Sequence, residues 1–386
     1  MKKMIFVIQA MGFGGAERSL LNLLHELPAD RYQVDLMLFR REGAFLEQLP
    51  SHVRILQQPE GLRGLYAPVS KAGMALPVKL IGTGVSRFFG KSRKQRAAFR
   101  WRHFYRKTIG MIPGEYDVAV AFSGAEVMYL VSDCIRAEKK FVWIHNDYRT
   151  AGYSAKDDLP YFRCMDGIVS VSEECVSILK KTFPQYAQRI HLIENITSST
   201  LVNARAELFV PEEYTGHKNV IVSIGRMEPQ KGFDIAISAA AILKNELDFV
   251  WFIIGTGNLR TALEKQIQQS GVEEHVILAG TRTNPYPYIK NAALLVQSSR
   301  YEGKSVVLDE AKILCTPIVA TDYPTVRDQI IENREGVIAP MDPQGLAETI
   351  KTLLLDDGQL TRMRSAMAEM NYGNQAEISK YMELFG

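Results

Sequence analysis

The chain has 386 residues, 46% of them hydrophobic and 23% charged, with 28 glycines, 16 prolines and 4 cysteines. At roughly 150 residues per domain this predicts two or three domains, and it excludes low-complexity, collagen-like and disulfide-framework proteins. The formal net charge, +3 from 46 Lys and Arg against 43 Asp and Glu, names no partner by itself.

The first apolar run, Met4-Ile5-Phe6-Val7-Ile8, turns glycine-rich at once and reads as a strand, not a signal peptide. No stretch reaches the roughly 18 uninterrupted apolar residues of a membrane span, so a soluble, cytoplasmic chain is expected. Cys134, Cys164, Cys175 and Cys315 are widely spaced, which fits a reducing compartment and argues against a zinc cluster or redox pair. Further short runs rich in Val, Ile and Phe follow at 34–39, 53–56, 117–122, 141–145, 167–171 and 191–194. In the second half they recur at 219–224, 249–254, 275–279, 294–298, 317–320 and 336–339. Most precede a helical pattern, which is the signature of parallel sheets covered by helices on both faces. Thirteen such strands exceed one comfortable sheet and predict an α/β chain of two doubly wound domains. The expected division is 1–200, 201–370, and a terminal helix at 371–386 that returns to the first domain. In open α/β sheets ligands bind beyond the carboxyl ends of the strands, so the strand-end loops carry the functional question.

The loop after the first strand contains Gly12, Gly14 and Gly15, which let backbone approach a ligand at a helix N-terminus. A dinucleotide fingerprint fails there because Glu17 holds the third glycine's place, and Asp35 sits inside the second strand. A tight structural turn accounts for the loop equally well. Residues 61–110 then carry 12 Lys and Arg and no Asp or Glu, leaving the rest of the chain net acidic. This segment mixes cations, among them Arg93, Lys94, Arg96 and Arg100, with aromatic and aliphatic residues. It suits an anionic membrane surface, with a solvated basic helix as the bland reading. Nucleic acid is disfavoured, because no recognition motif accompanies the patch. His145 ends the strand at 141–145, where a neutral imidazole could hydrogen-bond a ligand or be capped by backbone.

Two loops in the second half bear charge. Gly225-Arg226 and Lys231-Gly232 follow the strand at 219–224 and place two cations before a helix, a good diphosphate site. Ser299-Arg300-Tyr301-Glu302-Gly303-Lys304-Ser305-Val306 follows the strand at 294–298 and leads into a helix bearing Glu310. Two carboxylates so placed can span a nucleotide sugar, with the amides of Lys304, Ser305 and Val306 facing the diphosphate. A solvent-facing Glu310 is the alternative, though Leu308 and Ala311 beside it favour a buried helix.

These motifs resemble the retaining glycosyltransferases of family 4, which have the GT-B architecture of two facing Rossmann-like domains. Glu302-x7-Glu310 is similar to that family's paired acids, and Arg226 with Lys231 to its diphosphate-binding pair. Ile193-Glu194-Asn195 resembles a linker-side Ile-Pro-Asn, with Glu194 in place of proline, and Gly255-Thr256-Gly257 matches a further turn. The resemblance implies transfer of a sugar, with retention, from a nucleotide diphosphate sugar to a hydroxyl. Arg226 and Lys231 would stabilise the leaving group, Glu302 orient the sugar, Glu310 fix the ribose, and Gly14 and Gly15 approach the diphosphate from across the cleft. His145 would contact the donor sugar, and a UDP-sugar is slightly preferred, its base lined by Thr281. No Asp-x-Asp pair occurs, so neither a metal nor an organic cofactor is expected. Joined to the basic segment, this points to a glycan acceptor on a lipid carrier and to a peripheral place on the inner face of the plasma membrane. A nucleotide-sugar epimerase of the same architecture and a non-catalytic donor-binding subunit stay open. An NAD-dependent dehydrogenase is disfavoured by the broken glycine fingerprint.

Overall fold

The computed structural model describes residues 1–12 and 14–386; Phe13, in the first glycine loop, lies outside the described residues. Met1–Gly12, Ala16–Asn195 and Glu377–Gly386 belong to one compact unit, and Ile196–Ala376 to a second.

The first unit is built on seven parallel strands: β1 (Lys2–Ile8), β2 (Tyr32–Leu38), β3 (Val53–Ile55), β4 (Glu115–Ala121), β5 (Arg136–Ile144), β6 (Gly167–Ser170) and β7 (Ile190–Leu192). Their order is β3-β2-β1-β4-β5-β6-β7, so the chain reverses direction of travel between β1 and β4. Met4 to Ile8 are all buried, as a strand covered by helices on both faces requires. β1 starts two residues before its apolar run because Lys2 and Lys3 pair in register with Tyr32 and Gln33. Likewise β5 reaches back from the apolar 141–144 to Arg136, its first half paired to β4 with partly exposed side chains. Asp35 is fully buried in β2, gripped by Arg54 through Nε and Nη2 at 2.7 Å each and by the Tyr116 hydroxyl at 3.0 Å. It ties β2 to its neighbours and takes no part in a strand-end site.

The terminal helix Ile378–Phe385 packs on this sheet. Tyr381 stacks on Trp143 at 5.6 Å between centroids, and Phe385 sits edge-on to Phe6 at 6.1 Å. Residues 61–110 form a helical layer of the same unit: Glu60–Tyr66, Leu76–Phe89, Arg93–Arg100, a π-helical turn Trp101–Tyr105, and Arg106–Ile109. Trp101 anchors the layer, fully buried and donating its Nε1–H to Asp133 at 2.9 Å.

The second unit has six parallel strands: β8 (Val220–Ile224), β9 (Val250–Ile254), β10 (Val276–Gly280), β11 (Leu294–Gln297), β12 (Ile318–Thr321) and β13 (Gly336–Ala339). Their order, β10-β9-β8-β11-β12-β13, puts the reversal between β8 and β11. Helices Phe233–Leu243, Pro343–Leu355 and Asp357–Ala368 cover it, with Ala236, Ile237, Ala240, Leu346 and Ile350 buried in one core cluster. Among the described residues no helix is long and apolar enough to cross a membrane.

Candidate functional site

The loops singled out in the second half of the sequence follow β8 and β11, the two strands that flank the reversal of the second sheet. That is where an open α/β sheet leaves a crevice at its carboxyl edge. Gly232 permits the two loops to meet. Its φ is +60°, and a Cβ there would lie 2.0 Å from the Ser298 carbonyl oxygen. Any other residue would both strain the backbone and collide with a main chain. A second close approach joins the β9 loop to the β8 loop: Gly255 has φ +143°, and a Cβ on it would come within 1.9 Å of the Gly225 carbonyl oxygen. Arg300, on the β11 loop, clamps Asp234 through two bonds of 2.9 and 2.6 Å and also donates to the Pro229 carbonyl at 2.8 Å. Arg300 holds the Asp234 carboxyl below its usual range, chiefly by these hydrogen bonds.

On this scaffold Glu302 is 7% exposed and receives Lys231 Nζ at 2.6 Å on Oε1. Ser299 Oγ donates to the same oxygen at 2.7 Å, and Gln230 Nε2 to the other at 3.0 Å. Arg226 and Lys231 are therefore not two equivalent cations: Lys231 is compensated by Glu302, whereas the Arg226 side chain is exposed. The charge of Arg226 reaches Tyr301, whose hydroxyl is pushed up chiefly by burial and pulled back in part by that cation.

The helix Val306–Ile313 begins at its cap residue Ser305 and carries Glu310, which has no solvent exposure. The solvent-facing alternative for Glu310 is thus excluded. Gln329 grips the cap residue from both sides, accepting the Ser305 N–H at 2.6 Å and donating to the Ser305 carbonyl at 2.8 Å. Of the three amides expected to face a diphosphate, that of Ser305 is already engaged. The Ser305 hydroxyl donates to Gln297 at 2.6 Å, and Thr325 supports the Glu302 carbonyl at 3.1 Å. Lys304 lies 3.9 Å from Asp309. Thr281 directly follows β10 and is exposed.

His145 directly follows β5 in the first unit. Its ring lies 4.8 Å from Phe122, and its pKa is lowered to about 4, first by burial. The Phe122 backbone and the Asn195 side chain act in the opposite direction. Asn195 is in turn held by Ser19 Oγ at 2.5 Å, on the helix Gly15–Glu26. At the start of that helix, Gly15 has open space where a Cβ would stand, so packing does not explain its glycine. The strand-end loop after β4 contains Ala125 at φ +56°, a conformation costing about 1–3 kcal/mol for a residue with a side chain. Glu126 follows it, with the Tyr66 hydroxyl at 2.7 Å and Arg100 at 3.8 Å, its carboxyl pushed up by burial.

The supporting residues Gln230, Gln329 and Ser19 escaped the sequence reading because their partners Glu302, Ser305 and Asn195 are remote in the chain, whereas Ser299 lies only three residues from Glu302 and Ala125 is marked by its backbone conformation alone. Among the described residues no three His, Cys, Asp or Glu side chains converge to hold a metal ion.

Residues 205–370 match the model of the family described as glycosyl transferases group 1. A poly(ribitol-phosphate) alpha-N-acetylglucosaminyltransferase of Staphylococcus aureus is 29% identical over 52% of this chain and 42% of its own length. A Campylobacter jejuni enzyme, an N-acetylgalactosaminyltransferase acting on a diphospho-undecaprenol-linked saccharide, is 32% identical over 36% of this chain and 38% of its own. The matched stretches thus span less than half of these relatives. Among solved structures, HepE of Anabaena in complex with UDP-glucose superimposes with a TM-score of 0.74, covering 100% of this chain and 99% of that one at 18% identity. A TarM variant from S. aureus, in complex with UDP, gives 0.70 over 100% of both chains at 16% identity. The chain therefore has the GT-B fold of two Rossmann-like doubly wound domains, and the stretch of its second unit from 205 to 370 is similar to the group 1 glycosyl transferases.

Proposed function

We propose that the protein is a glycosyltransferase that moves a sugar from a nucleoside diphosphate sugar, preferably a UDP-sugar, to a hydroxyl acceptor. The observation that carries this reading is the joining of the β8 and β11 loops at the reversal of the second sheet, with Arg226, Lys231 and Glu302 in one constellation. In the reaction the bond from the anomeric carbon to the diphosphate oxygen breaks, and a bond to the acceptor oxygen forms on the same face. The acceptor's proton passes to a phosphate oxygen of the leaving group.

Arg226 offers a planar, exposed guanidinium to the diphosphate, and Lys231 a second charge, so that leaving-group stabilisation is the main catalytic contribution. These cations, not a metal, neutralise the departing diphosphate. Glu302 orients the sugar hydroxyls and Glu310 the ribose diol. His145, kept neutral by its lowered pKa, is suited to hydrogen-bond a sugar hydroxyl without adding charge. The first unit is assigned the acceptor. A lipid-linked glycan is favoured because residues 61–110 carry 12 cations and no acid, and the Campylobacter relative acts on a diphospho-undecaprenol carrier.

A thermal-shift panel of UDP, GDP, ADP and NAD, run with EDTA present, tests the donor assignment. A nucleotide at 100 times its dissociation constant should add about 2.7 kcal/mol of stability. One diphosphate should raise the melting temperature, and Arg226→Ala should abolish the rise. No response to any diphosphate, or an equal response in the variant, would sink the assignment.

A further inference from the structure

The helix Leu76–Phe89 is inside-out. Its buried positions are Gly82 and Ser86, at 1% exposure for Ser86, while Leu80, Ile81 and Phe88 are 54%, 56% and 87% exposed. Together with Pro77 and Gly84, these three recur at the three- and four-residue spacing of one helical face. Met74 just before the helix is 84% exposed, and Phe89 at its end 65%. The inner face packs closely because it is small: a Cβ on Gly82 would come within 3.3 Å of the Tyr105 ring. A water-facing helix has the opposite polarity, apolar inward and charged outward. So contiguous an apolar surface marks a contact site.

Charge decides the partner. Lys71 before the helix, Arg87 in its last turn, and Lys91 and Arg93 after it are exposed, and no acidic residue lies between 61 and 110. Other cations of the segment are committed internally. Arg96 donates to the Gly90 carbonyl at 3.0 Å, Lys94 lies 3.0 Å from the Tyr153 ring centroid, and Arg100 pairs with Glu126. Lys79 donates to the Ala67 carbonyl. Three of the four cations first assigned to a membrane, Lys94, Arg96 and Arg100, are thus structural, and only Arg93 is exposed.

We propose that the helix Leu76–Phe89 lies flat on an anionic lipid bilayer, Met74, Leu80, Ile81 and Phe88 entering the interface while Lys71, Arg87 and Lys91 meet phosphates. An apolar stripe flanked along the chain by exposed cations, in a segment without an acidic residue, is complementary to acyl chains beneath anionic headgroups. This deepens the lipid-linked acceptor reading and rests on it only for its purpose, since binding to vesicles needs no donor.

Flotation with phosphatidylcholine vesicles, with and without phosphatidylglycerol, tests it on the full chain. The wild type should float with the anionic vesicles only, and high salt should weaken the association. Ile81→Ser/Phe88→Ser should lose roughly tenfold or more in affinity, and Lys71→Ala/Arg87→Ala/Lys91→Ala should lose the salt dependence. All five side chains point to solvent, and an unchanged circular dichroism spectrum and unchanged UDP response show that the fold survives. Equal binding by the apolar variant, or no binding by the wild type, overturns the proposal. So does a concentration-dependent dimer abolished by Phe88→Ser, which would assign the stripe to a second copy. None of these outcomes touches the donor reading, which the nucleotide panel tests separately.

Discussion

Removing Lys231 should destabilise the second unit, and removing Glu302 as well should add little further loss. The pair is 2.6 Å apart, with side-chain exposures of 16% and 8%. Breaking a buried pair by deleting one partner costs about 3–5 kcal/mol, because the survivor is left charged and desolvated. Glu302 would keep its bonds from Ser299 and Gln230, so Lys231→Met belongs at the low end, about 3 kcal/mol. Methionine preserves the aliphatic stem, which packs over Gly225: a Cβ on that glycine would lie 2.9 Å from Lys231 Cε. For a unit of this size each kcal/mol moves the melting temperature by about 2–4 °C, so a drop of about 6–12 °C is expected. Glu302→Gln keeps a group able to bond Ser299 and strands only the more exposed Lys231, for a cost of about 1–2 kcal/mol. The double variant Lys231→Met/Glu302→Gln should be more stable than the sum of the singles predicts by about 2 kcal/mol. Denaturant unfolding followed by circular dichroism reads all four proteins. Additive losses within about 0.5 kcal/mol would show that the pair does not couple in solution, and the charge argument for this site would fall.

Gln329→Leu should leave the Ser305 N–H and carbonyl without their partner, costing about 2 kcal/mol and weakening UDP binding, with Gln329→Glu partly rescuing the affinity through the retained acceptor. Equal UDP affinity in both variants would reduce Gln329 to a purely structural role. His145 should make the protein acid-sensitive. Its folded pKa of about 4 lies below the unfolded value near 6.5, so the unfolded state binds the extra proton and stability falls as pH drops from 6.5 to 4. That loss amounts to about 3 kcal/mol, and His145→Gln should flatten it over this window; an unchanged pH–stability curve would contradict the assigned burial.

The strands were legible because burial on both faces fills them mostly with apolar residues, as in the run Ile5 to Ile8, buried polar residues such as Asp35 in β2 being held by hydrogen bonds. Their ends were less legible. Lys2, Lys3 and Arg136 extend β1 and β5 through backbone pairing, which is indifferent to side-chain polarity. In the candidate site Arg226, Lys231, Glu302 and Glu310 stood out by their spacing on strand-end loops, yet their pairing did not. That Lys231 is neutralised by Glu302, 71 residues away, follows from the Gly232–Ser298 approach, and no local pattern encodes it. The basic segment misled in detail for the same reason. Composition counts Lys94, Arg96 and Arg100 as surface charge, whereas Tyr153, the Gly90 carbonyl and Glu126 absorb them.

The Lys231–Glu302 contact bears directly on how the proposed donor would be received. A site with two uncompensated cations would attract any polyanion, whereas here Glu302 already supplies the counter-charge that a diphosphate would bring. Binding then exchanges one pairing for another, and its net gain is the difference between them. A bare diphosphate contacts the cations but leaves the Glu302 carboxylate facing its own charge, a repulsive arrangement at short range. A nucleotide sugar presents hydroxyls that can donate to the freed carboxylate, replacing the hydrogen bond that Lys231 withdraws. If the proposed site receives the donor, the same salt bridge would lower affinity for phosphates in general and favour a ligand with a sugar beyond its diphosphate, a selectivity the two cations alone would not provide.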